Sequence, residues 1–481
     1  MELKALTRAE DGGNLLRQAL RTLRYRWRNI AGSEYDAEAA STRPDLPEDD
    51  RERLRRQMRD CLDARGGEVS ARARAAALGE AYLALDANGR ARFLRMLAED
   101  FDVVEEEVET AIDGLHAATS LDDRRRARRK LRQALEPPRV KLLTQFNSLP
   151  EGVKFLANMR AELLSAVRED PALAGLEHDL RALLATWFDV DFLELRRIAW
   201  DTASGALLEK LIAYEAVHPI ESWDDLKDRL DYDRRYFAYF HPRMPNEPLI
   251  FVEVALVNGI AGNVQALLDP RAPVQDPKSA DTAIFYSINN AQRGLDGISF
   301  GNFLIKRVVD RLSKQFPNLK TFATLSPIPG FVPWLRTALS QGDRGLLLPS
   351  ERKALSNAAG VTQGAKGWLK ETLNTIAWRD DETMAKALRP ILTRLCARYL
   401  AREKRANGAA LDPVAHFHLN NGARMERLNW MGDRSARGMR QSAGLMINYR
   451  YDLARIDANH ESYRSTGRRA LSPAIKSLLD D

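Results

Sequence analysis

The sequence predicts an α+β protein of two domains, an N-terminal all-helical bundle over residues 1–188 followed by a mixed α/β domain over 189–481. Three observations predict this. Up to Phe188, apolar residues recur at three- and four-residue spacing, the period of a helix with one buried face. Leu249–Val257, reading LIFVEVALV, is a nearly continuous β-branched run, the pattern of a strand in the middle of a sheet. Residues 281–336 then give a strand, a glycine loop, an amphipathic helix and a second strand in succession, which is a βαβ unit. A length of 481 residues with 44% apolar side chains is enough for two cores.

The bundle is predicted as helices over Asn14–Ile30, Asp49–Arg65, Val69–Leu85, Arg90–Phe101, Val104–Ala118, Asp122–Leu135, Val140–Val167 and Leu173–Phe188. Gly66-Gly67, Asn88-Gly89 and Pro137-Pro138 punctuate them, and Asp36–Asp49, with Pro44 and Pro47, reads as a loop. His116 and His178 are single histidines on helices and carry no chemical signal. Such a bundle suits oligomerisation or support of a neighbour. In the second domain, Phe192–Tyr214 and Trp223–Leu230 read as helices. Phe237–Pro248, aromatic and proline-rich, reads as cover for a sheet edge. After Leu249–Val257 come a turn at Asn258–Gly262 and a proline-containing loop over Leu267–Asp281. A helical insertion over Ser350–Ala377 and a long helix over Thr383–Arg405 follow the βαβ unit, and strand-like blocks surround His418 and Tyr451.

Composition excludes several classes. No stretch approaches the roughly 18 consecutive apolar residues of a membrane span, so no membrane association is expected. Residues 1–13, MELKALTRAEDGG, lack an apolar signal core, and the terminal SLLDD is not a peroxisomal address. Two cysteines, Cys61 and Cys396, far apart on helical patterns, point to a reducing compartment and to no disulfide framework or metal cluster. The expectation is a cytoplasmic protein. A net charge of +6 suits a polyanionic small molecule. The basic run DDRRRARRKLR at Asp122–Arg132 lies on a helical pattern with acidic neighbours and no nucleic-acid motif, so no nucleic-acid partner is expected.

The central unit carries the chemistry. Thr282–Ile288 is its first strand. Gly294, Gly297 and Gly301 follow in a loop, and the helix Asn302–Phe316 lines Leu304, Ile305, Val308, Val309, Leu312 and Phe316 along one stripe. Pro317 ends the helix, and Lys320–Ser326 returns as a strand before the turn Pro327-Ile328-Pro329-Gly330. Glycines that admit close backbone approach, before a helix N-terminus, suit a phosphate. The spacing matches neither the dinucleotide G-x-G-x-x-G nor the G-x-x-x-x-G-K-[ST] loop.

The full strings are more specific. Residues 294–309, GLDGISFGNFLIKRVV, residues 316–331, FPNLKTFATLSPIPGF, then HFHLNNGA at 416–423 and GLMINYRY at 444–451 resemble the malonyl-CoA decarboxylase family, in order and at family spacing. The resemblance runs from about Pro248 to Tyr463. It implies a catalytic domain similar to the GNAT acetyltransferases, with the loop Asp296, Gly297, Ile298, Ser299, Phe300, Gly301 and Asn302 holding the coenzyme A pyrophosphate. The activity implied is conversion of malonyl-CoA to acetyl-CoA and carbon dioxide in fatty acid or malonate metabolism, through an enolate protonated by a histidine. It also implies a homo-oligomer, a tetramer in the family. Ser326, in L-S-P-I-P-G, takes the place of the catalytic serine and proton acceptor, and His418, in F-H-L-x-N-G-A, that of the proton donor. Ser287 and Tyr451 take places near the thioester. Where the family loop is expected to carry a glutamate, this chain has Ser299.

Decarboxylation of this kind requires no metal or organic cofactor, because the thioester itself accepts the electron pair; coenzyme A belongs to the substrate. Two rivals have different requirements. A CoA-dependent GNAT-type acyltransferase would share the fold and pyrophosphate loop but needs an amine acceptor. A non-enzymatic scaffold would have no use for Ser326, His418 and Tyr451 together.

Overall fold

A computed structural model describes residues 22–27, 30, 42–63, 68–188, 190–298, 304–341, 345–359 and 364–480. The chain divides into two compact units, one of residues 1–194, 240–249 and 290–300, the other of 195–239, 250–289 and 301–481. The helix and strand content is that of the expected class. The proposed loop over Asp36–Asp49 and the helix over Asn14–Ile30 fall partly outside the described residues, as do Ser299, Phe300, Gly301 and Asn302 entirely.

The first unit is built from helices at Glu48–Leu62, Glu68–Ala84, Ala87–Glu99, Glu105–Ala117, Leu121–Ala134, Pro138–Asn147, Gly152–Ala166 and Ala174–Trp187. Local chemistry sets their ends. Asp86 caps its helix by accepting from the Gly89 amide, and Ser120 does the same for Asp123. The predicted run Val140–Val167 is broken at Ser148–Glu151, because Pro150 has no amide hydrogen to continue a helix. Gly152 starts the next helix where an added Cβ would lie 1.7 Å from the Phe146 carbonyl oxygen, so only glycine fits. The core is aromatic. Trp27 is fully buried, meets Phe155 edge-on with ring centroids 4.8 Å apart, and donates its indole N–H to Pro150 O at 3.0 Å. Cys61 is buried in this unit and Cys396 in the other; both are free thiols.

A seven-stranded sheet, most of whose residues belong to the second unit, has the order β1-β2-β3-β4-β5-β7-β6. The strands are β1 Glu194–Ile198, β2 Arg234–His241, β3 Met244–Val257, β4 Thr282–Asn290, β5 Thr321–Thr324, β6 Arg424–Asn429 and β7 Met446–Arg450. Two expectations need correction. The predicted helix Phe192–Tyr214 is a strand, β1, followed by a shorter helix, Gly205–Tyr214, which Ser204 caps at the Leu207 amide. Phe237–Pro248 does not cover an edge but is sheet: Tyr236, Phe237, Ala238, Tyr239 and Phe240 are buried along β2, where aromatic side chains fit a pleated surface. Pro242 sits in the two-residue turn and Pro245 near the start of β3, positions that tolerate a missing amide hydrogen.

Strands β4 and β5 run parallel, pairing Thr282 with Thr321 and Phe285 with Thr324, as the βαβ unit requires. Between them the helix Leu304–Gln315 buries Leu304, Ile305, Val308, Val309 and Leu312. Each such side chain contributes about 2 kcal/mol of transfer free energy before conformational entropy is counted. Its guanidinium groups lie over the sheet's aromatics, Arg307 5.9 Å from the Tyr239 ring and Arg311 5.8 Å from Phe237. Strands β7 and β6 close the far side in antiparallel pairing. Ser326, just beyond β5, exchanges backbone hydrogen bonds with Ile447 of β7, donating at 2.8 Å and accepting at 3.0 Å.

Candidate functional site

The parallel register brings hydroxyls onto one face. Side chains two residues apart on a strand share a face, so Thr324 and Ser326 fall together, as do Phe285 and Ser287 on the neighbouring strand. Ser326 Oγ lies 2.8 Å from Thr324 Oγ1 and 3.1 Å from His418 Nε2, and His418 Nδ1 lies 2.7 Å from the Tyr451 hydroxyl. All four side chains are buried. Thr324 Oγ1 also accepts the Tyr449 amide at 3.1 Å, which anchors this end of the chain to β7. The imidazole stacks on the Tyr449 ring with centroids 4.5 Å apart and interplanar angle 25°, so its plane is fixed as well as its nitrogens.

The element carrying His418 differs from the expected one. The alternation of His416, Phe417, His418 and Leu419 suggested a strand, but the segment is a helix, Pro413–Asn420. Asp412 starts it, accepting the amides of Val414 and Ala415 at 3.0 and 2.9 Å, and Pro413 takes the first helical position. His416 therefore points elsewhere, with Nδ1 2.9 Å from the Tyr463 hydroxyl. The same Asp412 carboxylate accepts the Gly330 amide at 3.3 Å and the Tyr399 hydroxyl at 3.3 Å. One side chain thus ties the turn after Ser326 to the helix that carries His418.

Burial sets the protonation states. Desolvation pushes the His418 pKa down to about 3, out of the near-neutral range that an exposed imidazole would have, and raises the Tyr451 phenol well above its usual value. At neutral pH the chain Tyr451–His418–Ser326–Thr324 is uncharged. Desolvation also raises Asp412, while the amides of Ala415, Gly330 and Val414 lower it.

Ser287 is not part of that chain. Its hydroxyl lies 2.9 and 2.8 Å from the two carboxylate oxygens of Glu215, and 2.7 Å from Asn289 Nδ2. Of the proposed pyrophosphate loop, Asp296, Gly297 and Ile298 are described and belong to the first unit. There Arg160 donates to the carbonyls of Gly294 and Asp296 at 2.7 and 2.9 Å, and Arg181 to that of Gly297 at 3.0 Å. Gly297 has φ +77°, a conformation that side-chain-bearing residues rarely adopt. Asn290 fixes the Asp296 carboxylate at 2.7 Å. The rest of the expected loop, Ser299, Phe300, Gly301 and Asn302, lies outside the described residues.

The sequence reading missed Thr324, Tyr449, Asp412, Glu215 and Asn289. Alternation alone signals Thr324 and Asn289, each two residues from a chosen serine. Glu215 follows a helix far away in sequence and gives no local signal. Among the described residues, no group of three or more His, Cys, Asp or Glu is placed to hold a metal ion.

Comparison with known proteins gives concordant findings. Residues 191–481 match the model of the malonyl-CoA decarboxylase C-terminal domain, and residues 101–188 that of its N-terminal domain. The mitochondrial malonyl-CoA decarboxylase of Rattus norvegicus is 38% identical over 415 residues, 82% of each chain. Among solved structures, malonyl-CoA decarboxylase from Rhodopseudomonas palustris superposes with TM-score 0.80 at 43% identity, covering 89% of this chain and 99% of that one. The Agrobacterium vitis malonyl-CoA decarboxylase gives TM-score 0.80 at 40% identity, covering 89% and 100%.

Proposed function

This chain belongs to the malonyl-CoA decarboxylase family, and we infer from that premise how its buried residues convert malonyl-CoA to acetyl-CoA and carbon dioxide. The observation that carries the reading is the continuous hydrogen-bonded chain from Tyr451 through His418 and Ser326 to Thr324. With the phenol and the imidazole both neutral, the chain runs in one direction: Tyr451 donates to Nδ1, Nε2–H donates to Ser326, and Ser326 donates to Thr324, whose Oγ1 also accepts the Tyr449 amide. When the C–C bond to the carboxylate breaks, its electron pair passes to the α-carbon and thioester oxygen as an enolate, and carbon dioxide leaves. His418 is the proton donor to the α-carbon: its Nε2 proton passes through the Ser326 hydroxyl, which accepts it as it gives up its own, and the Tyr451 phenol replaces it at Nδ1. The imidazole never carries net charge, and the one proton that the overall reaction consumes restores the phenol. General acid catalysis of this type contributes on the order of 10²–10⁴ in rate.

The remaining roles are proposals of the same reading. The segment Asp296–Asn302 is the coenzyme A pyrophosphate site, Ser287 faces the acyl-CoA, and no metal or organic cofactor takes part because the thioester is its own electron acceptor. The functional division falls at 188/189, a split supported by family matches over 101–188 and 191–481. The helical region supports a homotetramer. No nucleic acid is bound. No helix among the described residues is long and apolar enough to cross a membrane. A cytoplasmic location is supported by two buried, unpaired cysteines, although the rat relative is named mitochondrial.

The test is release of carbon dioxide from malonyl-CoA with no amine present, followed together with acetyl-CoA. Equal amounts of the two products are expected. Turnover only on addition of an amine acceptor would instead make the chain an acyltransferase.

A further inference from the structure

The two serines that share this sheet face differ in hydrogen-bond polarity, and the difference is set by a carboxylate that nothing in the motifs indicates. Asn289 fixes the assignment. Its Oδ1 accepts the Ala216 amide at 2.9 Å, so the amide cannot be flipped and Nδ2 must be the end facing Glu215 and Ser287. Nδ2 then donates to Glu215 Oε2 at 2.6 Å and to Ser287 Oγ at 2.7 Å. Glu215 Oε1 also accepts the amides of Val217 and His218, both at 2.8 Å. Both Glu215 oxygens thus act as acceptors, which leaves the Ser287 hydroxyl hydrogen one place to go, onto Glu215. Behind it lies Glu253, fully buried, with the Arg229 guanidinium 3.6 Å away. Burial and the nearby Glu215 push the Glu253 carboxyl well above the usual range.

Ser287 therefore has its proton committed and one acceptor position taken by Asn289. What it can still offer a ligand is a lone pair. The thioester oxygen and the carboxylate of malonyl-CoA are acceptors only and cannot use it. The group near the reacting end that can is the amide N–H two carbons from the sulfur. We propose that Glu215 is a positioning residue that makes Ser287 a hydrogen-bond acceptor for this amide N–H, leaving proton donation to the Ser326–His418 chain. The assignment rests on the reading that Ser287 faces the acyl-CoA.

The experiment compares the wild-type enzyme with Ser287→Ala, Glu215→Gln and the double variant, using malonyl-CoA, malonyl-N-acetylcysteamine, which keeps the amide, and malonyl ethyl thioester, which lacks it. Ser287→Ala should raise KM for malonyl-CoA about tenfold, the scale of one lost hydrogen bond, with kcat within about twofold. The penalty in kcat/KM should persist with malonyl-N-acetylcysteamine and vanish with the ethyl thioester. Glu215→Gln should reproduce the KM effect and add nothing in the Ser287→Ala background, whereas a merely structural role would add. If Glu215→Gln does not fold, Glu215→Asp, which keeps the carboxyl group but withdraws it from Ser287, should give the same KM effect in smaller measure. A fall in kcat at unchanged KM, retained with the ethyl thioester, would overturn the acceptor role while leaving Ser287 at the reacting group. No change in any parameter for Ser287→Ala would overturn the reading that Ser287 faces the substrate at all.

Discussion

Four side chains in one uncharged chain make specific demands at the residue scale. Ser326→Ala and His418→Ala should each lower kcat by about a hundredfold or more, the scale of a lost positioned proton-transfer group, with unchanged far-ultraviolet dichroism. Near-normal turnover in either would remove that residue from the mechanism. The depressed imidazole pKa also makes a stability statement. In the unfolded chain His418 takes up a proton below about pH 6.5, whereas in the folded site it does so only near pH 3. Its contribution to stability is thus complete above pH 6.5 and lost as pH falls from there toward 3. Urea midpoints for wild type should decline over that window more steeply than those of His418→Gln; parallel declines would contradict a neutral buried imidazole. Ser326, His418 and Tyr451 were legible because each stands inside a distinctive string. Their protonation was not, because pKa follows from burial, and burial of a histidine is not written in its neighbours.

Hydrogen-bond capping explains both the successes and the errors at the scale of elements. Period-two alternation over four residues suggested a strand at His418, yet Asp412-Pro413 is a helix start, and that local signal prevails over so short a pattern. Within the central unit the helix Leu304–Gln315 and the strand β4 lie within two residues of their expected bounds, whereas the long predicted helices Val140–Val167 and Phe192–Tyr214 are interrupted. The hairpin β2–β3 was hidden by its prolines, of which Pro242 occupies the tip and Pro245 and Pro248 lie within the first five residues of β3. Asp412→Ala tests how far an element's end governs the site. It should cost about 1 kcal/mol in thermal or urea unfolding through the lost cap. It should also lower kcat more than it changes KM, since the Ser326 turn and the His418 helix lose their shared tie. Equal turnover in the variant would show that either segment holds its place alone.

For the whole molecule, the α+β class and the order of its parts were recoverable from periodicity alone. The assignment of 240–249 and 290–300 to the first compact unit was not, because it depends on contacts between segments distant in sequence. Each unit also encloses one free thiol, and burial raises both, Cys61 to about 11 and Cys396 well above its ordinary value. A thiol that is both shielded and protonated cannot attack an aromatic disulfide reagent until its surroundings open. Cys61→Ser and Cys396→Ser would thus give two single-thiol proteins, each a clock for the opening of one unit. In either, labelling at neutral pH should be negligible in buffer and should rise with urea along the unfolding curve of the unit that holds the remaining cysteine. Immediate stoichiometric labelling of the native protein would mean that the corresponding core is open to solvent. The same pair of rates, measured with and without coenzyme A, would report which half of the chain the ligand holds shut.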